Sequence, residues 1–251
     1  MPMHSRRYWR LCLPSEHGAW ALFLLPLIAG LGLALGRASS ALSVALVAGF
    51  LAREPLWRWR SGDPTSAHGG WVLILAGLAL VGGVLALRSG GIRWLVPMGV
   101  SGLVGYPLWV GRRRVRGLES EIRGILALSG MLPALLLASH GVWREAGLAW
   151  GLLLVLVLPP FLLLRIRLEQ LRGQIPSLAE WRFFWILQGL ALALAGAAWW
   201  GAGAPWVLPV WVALLGARQW APRGPKSARQ AGWAESLVSV GHVGVLLACL
   251  R

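Results

Sequence analysis

Apolar residues run along this chain in nine long blocks, separated by short polar breaks. The blocks cover 18–36, 38–55, 70–87, 94–111, 122–139, 146–164, 183–200, 204–218 and 234–250. An α-helix needs about 20 residues to cross hydrocarbon, fewer where the bilayer thins or flanking side chains snorkel. Each block therefore predicts a membrane-crossing helix, since an open sheet edge cannot be satisfied in lipid. The second, eighth and ninth blocks have the shortest uninterrupted apolar cores.

The breaks alternate in kind. Gly36-Arg37, Ser89-Gly90-Gly91, His140-Gly141 and Gly201-Ala202-Gly203 are tight hairpins. Those at roughly 56–69, 112–121, 165–182 and 219–233 are longer and polar. Charge follows the same alternation. Of 24 Lys and Arg, only Arg37, Arg88, Arg93, Arg144 and Arg251 fall on the hairpin side, and of 9 Asp and Glu only Glu145 does. Excess Lys and Arg marks the cytoplasmic face. The expectation is one integral membrane domain over 1–251, all-α, a polytopic bundle of about nine transmembrane helices. Its N-terminus is inside, its C-terminus outside, and its location the bacterial cytoplasmic membrane. Ser5-Arg6-Arg7-Tyr8-Trp9 resembles a twin-arginine export signal but reads better as the basic flank of a retained first helix.

Composition agrees. The chain is 57% hydrophobic and 13% charged, with a mean hydropathy of +0.65, whereas soluble domains carry about 25% charged residues. The net charge of +15 follows from the topology, so anionic headgroups are the expected partner rather than nucleic acid. Many of the 17 Trp lie near block ends, among them Trp57, Trp59, Trp143, Trp181, Trp199, Trp200, Trp206 and Trp220, as an interfacial aromatic belt requires. Cys12 and Cys249 would sit near opposite faces, too far apart for a disulfide, and no metal-type spacing is present.

Chemistry is concentrated where blocks two and six end. Block two runs into Arg53-Glu54-Pro55-Leu56-Trp57-Arg58, block six into Arg165-Ile166-Arg167-Leu168-Glu169. If the sixth helix continues, Arg165, Glu169 and Arg172 share a face at i, i+4, i+7. Arg53, Arg165 and Arg167 could neutralise an anion while Glu54 and Glu169 orient them. The competing reading is an ordinary positive-inside anchor. At the mouth of the first helix, Ser15 can cap and Glu16 complements the dipole. That leaves His17 as the candidate proton-transfer group. His242, deep in the last block and seven residues from Glu235, reads as a hydrogen-bonded core histidine. The Arg112-Arg113-Arg114 run reads as a headgroup-binding stop signal.

Pro14-Ser15-Glu16-His17-Gly18-Ala19-Trp20, an apolar span, then Arg53-x-Pro55 resembles the YwiC-like family of bacterial membrane proteins. That likeness implies no activity. The layout of nine spans with polar loops after the second and sixth is similar to the UbiA prenyltransferases. In those enzymes Asp-rich loops hold magnesium on an isoprenyl diphosphate. Here the loops carry Arg53, Glu54, Arg58 and Asp63, then Arg165, Arg167 and Glu169, without paired aspartates, so no metal is expected. The leading expectation is a cavity on the cytoplasmic side for an anionic, lipid-like or isoprenoid molecule, with a divergent transferase as its enzymatic form and no cofactor assigned. A transporter would need ionisable residues at depth, where only His242 lies. An assembly or regulatory subunit would dock a partner on the basic face.

Overall fold

A computed structural model describes residues 17–60, 66–110, 118–139, 141–202, 205–218 and 228–250. All the elements among these residues are helices: α1 (His17–Leu33), α2 (Arg37–Arg60), α3 (Ser66–Gly90), α4 (Leu95–Val110), α5 (Leu118–Ser129), α6 (Met131–Ala138), α7 (Trp143–Leu171), α8 (Leu178–Ala202), α9 (Val207–Ala217) and α10 (Ala228–Leu250). Each apolar block is mainly helical where it is described, and the all-α class is as expected.

Several boundaries differ from the pattern. The fifth block is two helices, broken at Gly130. Pro133 has no N–H to give the Ser129 carbonyl, so the helix restarts where that missing donor falls in a first turn. Gly130 also sits against Ser101 of α4 so closely that a Cβ there would collide with the serine hydroxyl. Helices α2 and α7 run past the ends of their apolar blocks, to Arg60 and Leu171. Beyond the apolar run, i,i+4 pairs support the extra turns: Glu54 with Arg58 and Arg165 with Glu169, each at 3.0 Å.

Packing sets α3 antiparallel to α2, whereas α5 and α6 run on as one span. The α2–α3 hairpin is close along its length, because a Cβ on Gly82 would meet the Ala41 carbonyl at 2.7 Å and Gly90 lies against Ala38 and the Ala138 carbonyl. Gly32 of α1 faces Leu247 near the end of α10, and Gly216 near the end of α9 lies under Gln188 in the middle of α8. One core joins α1, α5, α7, α8, α9 and α10 around Leu153, Leu156, Leu208 and Leu246. A second joins α1, α2, α3 and α6 around Phe23, Leu42, Ala86 and Leu135, with Phe23 and Phe50 stacked at 4.1 Å between centroids. Helix α6 is buried along nearly its whole length. Helix α3 is the opposite, with Leu73, Leu80 and Val84 exposed.

Among the described residues, four stretches are long and apolar enough to cross a membrane: Gly69–Gly90, Leu118–Ala138, Trp143–Leu171 and Leu178–Ala197. Four shorter apolar helices accompany them, Leu22–Leu33, Leu95–Gly105, Val207–Ala217 and Val240–Leu250. Helix α2 is more polar, carrying Ser39, Ser40 and Ser43 early and Arg53 and Glu54 late. Its serines are absorbed locally: Ser43 Oγ donates to the Ser39 carbonyl at 2.7 Å.

Candidate functional site

The end of α7 and the start of α8 bring charged groups together through two local motifs. Gly173, at φ +73°, takes the left-handed position after α7. Gly173 N donates to the Gln170 carbonyl and Gln174 N to the Glu169 carbonyl, both at 3.0 Å. This is the Schellman pattern that satisfies a helix's last carbonyls. Four residues on, Ser177 caps α8: Glu180 N donates to Ser177 Oγ at 3.2 Å, and Ser177 N donates to Glu180 Oε2 at 2.9 Å. This reciprocal arrangement is a capping box. The chain thus turns back within a few residues and sets Glu180 beside α7.

Arg165 is the centre of the result. Its Nη1 meets Glu121 Oε2 of α5 at 2.5 Å, its Nη2 meets Glu169 Oε1 at 3.0 Å and its Nε meets Glu180 Oε1 at 3.4 Å. Three carboxylates from three helices occupy one guanidinium, whose planar fork permits this. The side chain is only 19% exposed, so these contacts are less screened than surface pairs. The expected Arg165–Glu169 pairing is present. An anion at Arg165 would have to displace a carboxylate, so the arginine here ties helix ends together. Its neighbour Arg167 donates to the backbone carbonyl of Arg218, joining α7 to the end of α9.

At the end of α2, Glu54 orders Arg58 rather than Arg53, through hydrogen bonds from Nε at 3.1 Å and Nη2 at 3.0 Å. Arg53 is exposed. Helix α2 packs on α3, α6 and α1, and α7 on α8, α10, α6, α5 and α9. The two arginine clusters therefore belong to separate packed groups that meet through α1 and α6. Glu16 and the arginine run at 112–114 lie outside the described residues. His17 opens α1, with its side chain likewise undescribed, as is that of Glu235.

His242 departs from its expected role. It is buried at 3% exposure, yet neither ring nitrogen has a hydrogen-bond partner among the described residues. Sequence reasoning also passed over Glu121 and Glu180. Ser177-x-x-Glu180 is a capping-box signature visible in the chain, but nothing local points Glu121 at Arg165. A second polar junction went unread at the opposite end. The Ala34 carbonyl at the end of α1 accepts hydroxyl hydrogen bonds from Ser39 of α2 at 2.5 Å and Ser139 after α6 at 2.8 Å.

Alternating apolar helices, an aromatic belt and charged residues gathered at helix ends define a helical membrane protein. The model of the YwiC-like protein family matches residues 13–136, just under half of the chain, and over that stretch the chain is similar to the family. The match takes in α1, α2 and the Arg53-x-Pro55 segment that carried the resemblance. No curated protein and no solved structure matches the chain.

Proposed function

We propose that the protein crosses the bacterial cytoplasmic membrane nine times and holds an anionic lipid headgroup on its arginine-rich inner end. Arg53 makes the headgroup contact. Glu169 and Arg165 act as a positioning pair, and Arg167 fixes the end of α9 beside them. The observation that carries this reading is the grouping of helix ends. Contacts of Arg165 hold the start of α5, the end of α7 and the start of α8 at one level. Contacts of Ala34 and Gly90 hold the ends of α1, α3 and α6 and the start of α2 at another. Strict alternation across a bilayer demands that partition. Exposed tryptophans support it from both sides, with Trp57 and Trp59 at the first level and Trp143, Trp199, Trp200 and Trp206 at the second.

An arginine near an anionic surface contributes about 1 kcal/mol, roughly a five-fold change in binding. In native mass spectrometry, Arg53→Ala should lower retained phosphatidylglycerol about five-fold, while Arg88→Ala at the opposite end changes nothing. Equal losses from both, or none from Arg53→Ala, would remove the headgroup assignment. Reporter fusions after Trp57 and after Arg172 should report the same compartment, and the topology fails if they differ.

A further inference from the structure

Helices α8, α9 and α10 carry a group of buried polar atoms, close to the end of α9 that bears Arg218. His242 of α10 stands nearly perpendicular to the Trp211 ring of α9, with centroids 6.1 Å apart. Gln188 of α8, only 2% exposed, donates Nε2 to the Val212 carbonyl of α9 at 2.6 Å. Four buried atoms on this stretch have no hydrogen-bond partner among the described residues: His242 Nδ1, His242 Nε2, Trp211 Nε1 and Gln188 Oε1.

The backbone is shaped around these side chains. A Cβ on Gly241 would run into the Trp211 ring, and one on Gly216 would come within 2.7 Å of Gln188 Nε2. Trp211 and Gln188 thus each lie against a helix surface cleared by a glycine. Apolar substitutes would pack there without any desolvation cost, and Val212, Leu208, Val245 and Leu246 supply an apolar surround. Polar atoms in such a place need partners, because no bulk water reaches them. An ionisable residue inside a membrane bundle marks a site for the same reason.

We propose that His242, Trp211 and Gln188 form an intramembrane site for a neutral hydroxyl group, supplied by a held water or by a membrane-dissolved alcohol. The donor and acceptor balance selects this chemistry. Trp211 Nε1–H and one imidazole N–H seek an acceptor, while the other imidazole nitrogen and Gln188 Oε1 seek a donor. A hydroxyl donates and accepts, so one can serve a donor and an acceptor here, and a second can serve the ring nitrogen that faces the other way. A carbonyl guest accepts only and would leave the amide oxygen and one ring nitrogen bare. The proposal does not rest on the headgroup reading, because its test reads His242 and Gln188 and not Arg53.

Nitrogen-15 histidine NMR of the full chain in nanodiscs of synthetic lipid tests this, with the His242 signal identified by its loss in His242→Phe. The expected result is a hydrogen-bonded neutral ring with a cross peak to a hydroxyl proton, abolished by Gln188→Leu or Gly241→Ala while the helical circular dichroism is retained. A cross peak surviving in purely synthetic lipid identifies water. One lost on delipidation and restored by a membrane lipid extract identifies an alcohol. Free-nitrogen shifts with no cross peak in either preparation, together with a melting temperature unchanged or raised in His242→Phe, would overturn the proposal. Should His242→Phe fail to fold, the Gln188→Leu spectrum decides the same question.

Discussion

The two ends of this bundle solve one problem with different chemistry. At one end three helix termini are joined by a guanidinium and three carboxylates, Arg165 with Glu121, Glu169 and Glu180. At the other, three termini are joined by two hydroxyls on one carbonyl, Ser39 and Ser139 on Ala34. Charged groups keep their cost low only where water or counter-charges reach them, so an ionic junction suits an end that meets water and headgroups. Hydroxyls cost little to bury and satisfy a helix's last carbonyl where the chain is tightly packed. Ser39 is 0% exposed, whereas Glu121 is 36% exposed in its side chain. The charge asymmetry legible in the loops is thus repeated in how the helix ends are fastened.

Breaking the ionic junction should have the larger effect. Arg165→Met leaves three carboxylates facing one another and should destabilise by about 2–4 kcal/mol, somewhat below a fully buried broken pair because the site is partly exposed. Thermal unfolding in detergent measures this, and combining it with Glu121→Gln should recover part of the loss. A loss under about 0.5 kcal/mol would show that the junction is ornamental.

The neutral junction should yield less. Removing both hydroxyls in Ser39→Ala/Ser139→Ala strips the Ala34 carbonyl of two donors and should cost about 1–2 kcal/mol. Ser139→Ala alone should cost about 0.5 kcal/mol, because Ser39 still donates. Salt separates the two most finely. Raising ionic strength from about 0.05 M to about 1 M shortens the screening length to about 3 Å. That should shrink the Arg165→Met penalty and leave the double-serine penalty unchanged. Equal responses would mean that the two ends do not differ as described.

Much of the fold was legible. The nine apolar blocks are mainly helical where described, because lipid-compatible length and backbone satisfaction leave no alternative. Boundaries were less so. The apolar runs stop near 55 and 164, but helix geometry continues wherever i,i+4 pairs and caps support it, as at Glu54–Arg58 and Gly173. The break at Gly130 depended on Ser101 of another helix, which no local pattern reveals.

The candidate site was legible in part. Arg165 and Glu169 were picked out by their depth and spacing, and they do pair. Their remaining partners lie 44 and 15 residues away in sequence, so the chain alone suggested an arginine open to a ligand. His242 erred the other way, since a lone polar residue in an apolar block looks like a core contact until its surroundings are visible.

Hydropathy and charge along the chain decide that it is helical, how many apolar segments it has and which ends are wet, because these follow from each segment's own exchange with lipid or water. Which carboxylate meets which guanidinium, which carbonyl takes two hydroxyls and which histidine is left without a partner are decided only when helices pack. Those contacts join residues distant in sequence, and their energy depends on separations of a few ångströms that composition does not encode.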